Sequence, residues 1–168
     1  DVRIPKSAKL PGSNTFKDTA RVLHATRLGV AWAALGHTIA VYESAVHYSR
    51  PRIQFGRPIA STQAVQERLT EMLSDLTSLQ TMLFAFTELD AKGELAPTSA
   101  ALAKYTATRT ARKAAAIARD MLGGTGILLE HRVARHFADI EALHTYEGTE
   151  TIQALLVGRD VTGFSAFA

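Results

Sequence analysis

The sequence predicts an all-α protein, an up-and-down helical bundle. Three observations predict it. An apolar seam recurs in steps of four and three from Val65 to Phe86, an alanine-rich stretch follows Pro97, and glycine, proline and threonine clusters fall between the periodic segments, with no convincing strand anywhere. The opening Asp1–Gly12, with Pro5, Pro11 and Gly12, reads as an extended linker entering from something upstream, so residues 1–14 are set apart from a bundle spanning 15–168. The first helix is expected from about Thr15 to Ser49, with Leu28, Leu35, Ile39, Tyr42 and Val46 on one face. Pro51, Gly56 and Pro58 then break it. In the second, Val65, Leu69, Met72, Leu76, Leu79, Leu83 and Phe86 form a heptad-like stripe suited to near-antiparallel packing, and Gly93 ends it. The third starts at Pro97, a residue preorganised for the first helical position. Its alanines allow a neighbouring helix to come close. It stops at Gly123-Gly124-Thr125-Gly126. A shorter helix is expected over Leu128–Phe137, and a last one over Glu150–Asp160 with Thr149 as its cap.

Composition narrows the chemistry. The chain has 168 residues, enough for one domain with a sizeable core, and lacks cysteine, which excludes disulfides, thiolate nucleophiles and thiolate metal sites. No apolar run approaches the roughly 20 residues of a membrane helix, and the first residues show no basic-then-apolar leader. The net charge of +3 is spread along the chain rather than concentrated in a basic stripe, which argues against a nucleic-acid surface. The six histidines, His24, His37, His47, His131, His136 and His144, form no metal-ligand spacing, and no Gly-x-Ser-x-Gly elbow is present.

Three loops carry residues with chemical potential, and each admits two readings. Arg52-Ile53-Gln54-Phe55-Gly56 offers a guanidinium, an amide and a ring to a pyrophosphate and an adjoining ring system, or is a solvated basic loop with Phe55 tucked into the core. Gly123-Gly124-Thr125-Gly126 follows a helix rather than a strand, so it is not a dinucleotide-fold fingerprint. It is either a helix cap or a place where bare backbone approaches a cofactor. In Tyr146-Glu147-Gly148-Thr149, Tyr146 would partly desolvate Glu147 and make it a useful base. Otherwise Glu147 is a solvated carboxylate favoured near a helix N-terminus.

Taken together, the loops resemble the acyl-CoA dehydrogenase family. Arg52–Gly56 is similar to its Arg-x-x-Phe-Gly loop, Leu122–Gly126 to its Leu-Gly-Gly-x-Gly helix end, and Tyr146–Thr149 to its Tyr-Glu-Gly-Thr motif. Within the family, Gly158–Phe167 resembles the Gly-Arg-x-x-Thr-Gly-x-x-Ala-Phe close of the glutaryl-CoA dehydrogenase branch. Arg119-Asp120-Met121 and the run Arg27–Trp32 point the same way, and plant-type short-chain acyl-CoA oxidases also resemble this branch. Thr125 stands where the family usually has Asn, and Pro51 replaces a polar residue before the arginine.

The resemblance implies a C-terminal helical domain behind an N-terminal helical domain and a middle β-domain. It implies an FAD enzyme that takes the α-proton of an acyl-CoA while a β-hydride passes to the flavin. For the glutaryl branch it implies decarboxylation to crotonyl-CoA. Glu147 matches the catalytic base, whose own backbone N–H helps to hold the thioester carbonyl. His24, Ala25, Thr26, Arg27, Tyr146 and Gly148 match positions near the substrate. Arg52, Gln54, Phe55, Gln63, Asp120, Met121, Leu122, Gly123, Gly124, Thr149, Thr151 and Phe167 match positions near FAD. A homotetramer and electron transfer to an electron-transfer flavoprotein are also implied, in the bacterial cytoplasm or in the mitochondrial matrix or peroxisome of a eukaryote. A short-chain acyl-CoA dehydrogenase or oxidase, and a catalytically silent helical oligomerisation module, are the alternatives.

Overall fold

A computed structural model describes residues 1–166. Asp18 starts the first long helix: its carboxylate accepts the backbone N–H groups of Asn14, at 3.0 Å, and Thr15, at 2.9 Å, fixing the N-terminus of α1 (Phe16–Ser49). After α1 the chain makes a two-residue antiparallel hairpin, β1 (Ile53–Gln54) with β2 (Arg57–Pro58). No strand was expected here, because four residues are too few to show alternation. The turn chemistry is nonetheless that of a tight hairpin, with Phe55 at φ 52° and Gly56 at φ 77°. Then follow α2 (Gln63–Ala91), α3 (Pro97–Met121), α4 (Val133–Thr145) and α5 (Glu150–Thr162).

The seam of α2 forms as its spacing predicts: Met72, Leu76, Leu79 and Leu83 are buried, and Val65, Leu69 and Phe86 pack at its edges. Trp32 of α1 clamps the pair by donating to Thr87 Oγ1 at 2.9 Å and by meeting Phe84 edge-on at 5.3 Å. The stripe of α1 meets expectation at Leu28 and Leu35, which are buried, and differs from it at the other positions. Its deepest residues are small, Ala31, Ala34, Thr38, Val41 and Ala45, whereas Ile39, Tyr42 and Val46 are only half-buried. The reason lies in α3, whose buried face is Ala100, Ala103, Ala107, Ala111, Ala114 and Ala118. Small residues on both helices bring the two backbones together, so the larger side chains of α1 flank the contact instead of filling it.

Two further expectations are corrected. The opening segment is extended except for a 3-10 turn at Lys6–Ala8. The fourth helix runs over Val133–Thr145, not Leu128–Phe137. Leu128 is extended, Leu129–His131 form a single 3-10 turn, and Arg132 at φ 60° separates that turn from the helix proper. Burying Val133 and Ile140 fixes the later register. No described helix is long and apolar enough to cross a membrane.

Candidate active site

The first cluster is built on the break between α4 and α5. Tyr146 leaves the helix in extended conformation, Glu147 takes φ 57° and Gly148 takes φ 94°. Two left-handed residues in succession turn the chain sharply, and only Gly148 does so without steric cost. A Cβ at Gly148 would also lie 2.8 Å from Gln153 Nε2 and 3.1 Å from Ile152 Cγ2. Thr149 occupies the N-cap of α5 as expected, but its side chain makes no capping bond.

The turn is anchored from inside the bundle. Lys104 of α3, 1% exposed, donates its Nζ to the carbonyls of both Tyr146 and Gly148, and lies 5.8 Å from the centre of the Tyr146 ring. The buried amide of Gln153 on α5 donates to the carbonyls of Glu147, at 3.1 Å, and Gly148, at 2.9 Å. Three consecutive carbonyls are therefore satisfied, while the Glu147 N–H donates to no backbone carbonyl among the described residues. The Glu147 carboxylate also lacks neutralising bonds: its Oε2 is buried with no hydrogen-bond partner among the described residues. Buried Arg27 of α1 lies close enough to sense this charge. Burial pulls the Arg27 guanidinium below its usual value, and Glu147 opposes that shift. The Lys104 ammonium is pulled down to about 8, first by burial and further by Arg27, with Glu147 again opposing. Burial and the Glu147 charge raise the Tyr146 phenol. His24 precedes Arg27 by one helical turn, and its buried Nδ1 and the Arg27 Nε are also without partners among the described residues.

The second cluster unites two loops that lie far apart in sequence. Arg52 and Gln54 of the hairpin and Met121, Leu122, Gly123 and Gly124 at the end of α3 line one cleft of about 260 Å³. Gln54, Phe55, Asp120 and Met121 continue into a neighbouring cleft of about 440 Å³, with Arg57 and Arg68. Phe55 is completely exposed rather than tucked into the core. The guanidiniums of Arg52, Arg57 and Arg68 form no ion pair among the described residues, whereas Asp120 pairs with Arg119. The glycines of this run differ in their surroundings. Gly123 and Gly124 are exposed on the cleft, while a Cβ at Gly126 would sit 2.2 Å from the Arg119 carbonyl oxygen, so that glycine serves helix packing.

Other expected residues stand apart. Ala25 and Thr26 face outward on α1, and the Thr26 hydroxyl bonds back to the carbonyls of Val22 and Leu23. Gln63 begins α2, exposed and bonded to Glu67 at 2.7 Å, and lines neither cleft. Thr149 and Thr151 are exposed at the start of α5, and Phe167 lies outside the described residues. A cleft of about 740 Å³ belongs to neither cluster. Its charges are mutually paired, Arg109 with Glu150, Arg112 with Glu141, and Lys113 with Asp75, which leaves little for a ligand to satisfy. Lys104 was missed by sequence reasoning. The signal was its place at helical spacing among Ala100, Ala103, Ala107 and Ala111, where a lysine must turn inward.

With this geometry established, comparison with known proteins is informative. Residues 16–162 match the family model described as acyl-CoA dehydrogenase, C-terminal domain. A crystal structure of glutaryl-CoA dehydrogenase from Mycobacterium smegmatis superposes with a TM-score of 0.93 at 36% identity, covering 99% of this chain and 43% of that one. A second structure of a glutaryl-CoA dehydrogenase from the same organism, in complex with FADH2, has a TM-score of 0.93 at 31% identity, covering 100% of this chain and 44% of that one. The short-chain specific acyl-CoA dehydrogenase of Megasphaera elsdenii is 31% identical over 159 residues, 94% of this chain and 42% of that protein. The chain thus spans about two fifths of the length of the curated relatives it matches. The all-α bundle, the hairpin beside the glycine turn and the anchored glutamate turn are those of a chain that belongs to the acyl-CoA dehydrogenase family.

Proposed function

We propose that this chain is the C-terminal catalytic domain of an FAD-dependent acyl-CoA dehydrogenase, preceded in the complete protein by a β-domain and an N-terminal helical domain, with Glu147 as base. The observation that carries this reading is the Glu147 turn. Its backbone is anchored through three carbonyls, while carboxylate Oε2 is left without a donor. A carboxylate that accepts few hydrogen bonds is left free to take a proton from a substrate, and one on a fixed turn keeps its aim. Closure over an acyl-CoA would exclude water from the site. The unengaged Glu147 N–H is a ready donor to the thioester oxygen, where it would stabilise enolate character.

The second cluster suits FAD. Arg52 is an unpaired guanidinium for its phosphates, Gln54 offers an amide, Gly123 and Gly124 present bare backbone, and Phe55 stands free to stack. When bound, FAD supplies the acceptor for the substrate's β-hydride. Arg27 holds positive charge beside the base, and Tyr146 shields it from solvent on one side.

Glutaryl-CoA, with loss of carbon dioxide to crotonyl-CoA, is the substrate we favour, supported by the structural likeness to glutaryl-CoA dehydrogenases and the Gly158–Phe167 ending. The short-chain specific relatives support a second reading, a short straight-chain acyl-CoA such as butyryl-CoA. A homotetramer passing electrons to an electron-transfer flavoprotein completes the proposal. The test is an anaerobic titration of the complete flavoprotein with glutaryl-CoA, beside Glu147→Gln. Bleaching of the flavin band in the parent and its loss in the variant are expected. Bleaching by butyryl-CoA alone would move the substrate to the second reading, peroxide release in air would make the enzyme an oxidase, and equal bleaching in Glu147→Gln would remove Glu147 as base.

A further inference from the structure

We propose that Lys104 is a positioning residue for the base: by holding the Tyr146 and Gly148 carbonyls it aims the Glu147 carboxylate and N–H at the reacting end of the acyl thioester. This rests on Glu147 being the base. The geometry starts with burial. Lysine is almost never fully buried without a carboxylate partner, yet Lys104 is 1% exposed in the middle of α3 and forms no ion pair among the described residues. Its ammonium ends instead on two backbone oxygens that flank Glu147 on either side. A peptide unit is planar and trans, so its N–H and C=O point in opposite directions. Fixing the Tyr146 carbonyl on Nζ therefore turns the Glu147 N–H away from the bundle, and fixing the Gly148 carbonyl sets the far side of the same turn.

Electrostatics give the arrangement its logic. The charged groups facing Lys104 are Arg27 from α1 and Glu147 on the turn, with the Tyr146 phenol beside it and the His144 ring at the end of α4. A direct Lys104–Glu147 salt bridge would quench the carboxylate as a base. Bonding to the neighbouring carbonyls instead lets the ammonium fix the backbone while leaving Oε2 unpartnered. Glu147 at φ 57° is in an unfavourable conformation for a residue with a side chain. Charge-assisted bonds to both flanking carbonyls, with the Gln153 amide between, are what keep it there.

The experiment is single-turnover flavin bleaching in the complete flavoprotein, mixed anaerobically with glutaryl-CoA or butyryl-CoA, whichever reacts faster. Lys104→Met, Lys104→Gln and Lys104→Arg are compared with the parent and with Glu147→Gln. The saturating rate constant reports the surviving folded molecules, whereas the amplitude reports how many survive, so a poorly folding variant still answers. Lys104→Met and Lys104→Gln are expected to lower the rate constant about 10- to 100-fold, the scale of a misplaced reacting group, with half-saturation changed less than about twofold. Lys104→Arg, able to donate to two carbonyls, should recover part of the loss. Variants that lose amplitude but keep the parental rate constant would overturn the assignment, leaving Lys104 merely structural. If Glu147→Gln is silent in that case, the base reading stands alone. If Glu147→Gln bleaches like the parent, both fall.

Discussion

Gly126→Ala isolates a steric demand from a conformational one. Gly126 does not have positive φ, so alanine suits its backbone, yet the added Cβ would lie 2.2 Å from the Arg119 carbonyl oxygen and 3.0 Å from its carbon. Arg119 belongs to the last turn of α3, and the opposing atoms are backbone, so no side chain can swing aside. Reaching even a 3.0 Å approach requires a displacement of 0.8 Å, the difference between 3.0 and 2.2 Å, along the helix end that shapes the Gly123–Gly124 cleft. Overpacking of this kind costs about 1–3 kcal/mol, and a rigid backbone obstacle points to the upper half of that range. Alanine recovers about 0.4–1 kcal/mol by restricting the unfolded chain. A net loss of about 1–2 kcal/mol follows, or roughly 2–8 °C in melting temperature for a domain of this size. The control is Gly124→Ala, two residues away, where an added Cβ meets nothing within 4 Å and φ is not positive. It should be neutral or slightly stabilising in the flavin-free protein. Thermal and urea unfolding followed by helical circular dichroism reads both. Equal midpoints for the two variants would refute the packing argument.

Two further outcomes follow from the same structure. Lys104 titrates at about 8 in the fold against 10.5 for an unperturbed lysine. Between those values the unfolded chain binds more protons, so the contribution of this group to stability rises with pH across that window and is lost as pH falls through about 8. The stability difference between parent and Lys104→Met, measured by urea unfolding at a series of pH values, should carry this slope; a flat difference from pH 8 to 10 would contradict it. Arg52→Ala removes an unpaired guanidinium from the proposed flavin cleft. Loss of a charge-assisted bond worth about 1.5–3 kcal/mol weakens FAD binding about 10- to 100-fold. Reconstitution of apoprotein followed by flavin fluorescence checks it, and unchanged affinity would move FAD elsewhere.

What the sequence made legible depends on whether the signal is local. The α2 seam is written in seven side chains on one helix, and it forms as its spacing predicts. The three loops were recognisable as short motifs, and two of them, Arg52–Gly56 and Asp120–Gly124, converge on adjoining clefts. In the α1 stripe Leu28 and Leu35 are buried as their spacing predicts, whereas Ile39, Tyr42 and Val46 are only half-buried, because an alanine-lined partner selects small residues there. The start of α4 was misplaced because Leu128 and Leu129 look like helix residues, and the break at Arg132 is set by tertiary packing of Val133. Lys104 was missed because its partners are main-chain carbonyls 42 and 44 residues away, and carbonyls leave no mark in a sequence.

In its proposed role as base, the left-handed Glu147 sets stability and chemistry against each other at one position. Glycine would relax the turn and asparagine would tolerate it better than glutamate does. A selection for heat resistance alone, blind to turnover, would therefore favour discarding the carboxylate, since the fold has no need of it. Stabilised versions of this domain should accordingly be sought with residue 147 held fixed. On the proposed role of Glu147, a thermotolerant variant that has changed there has given up its base.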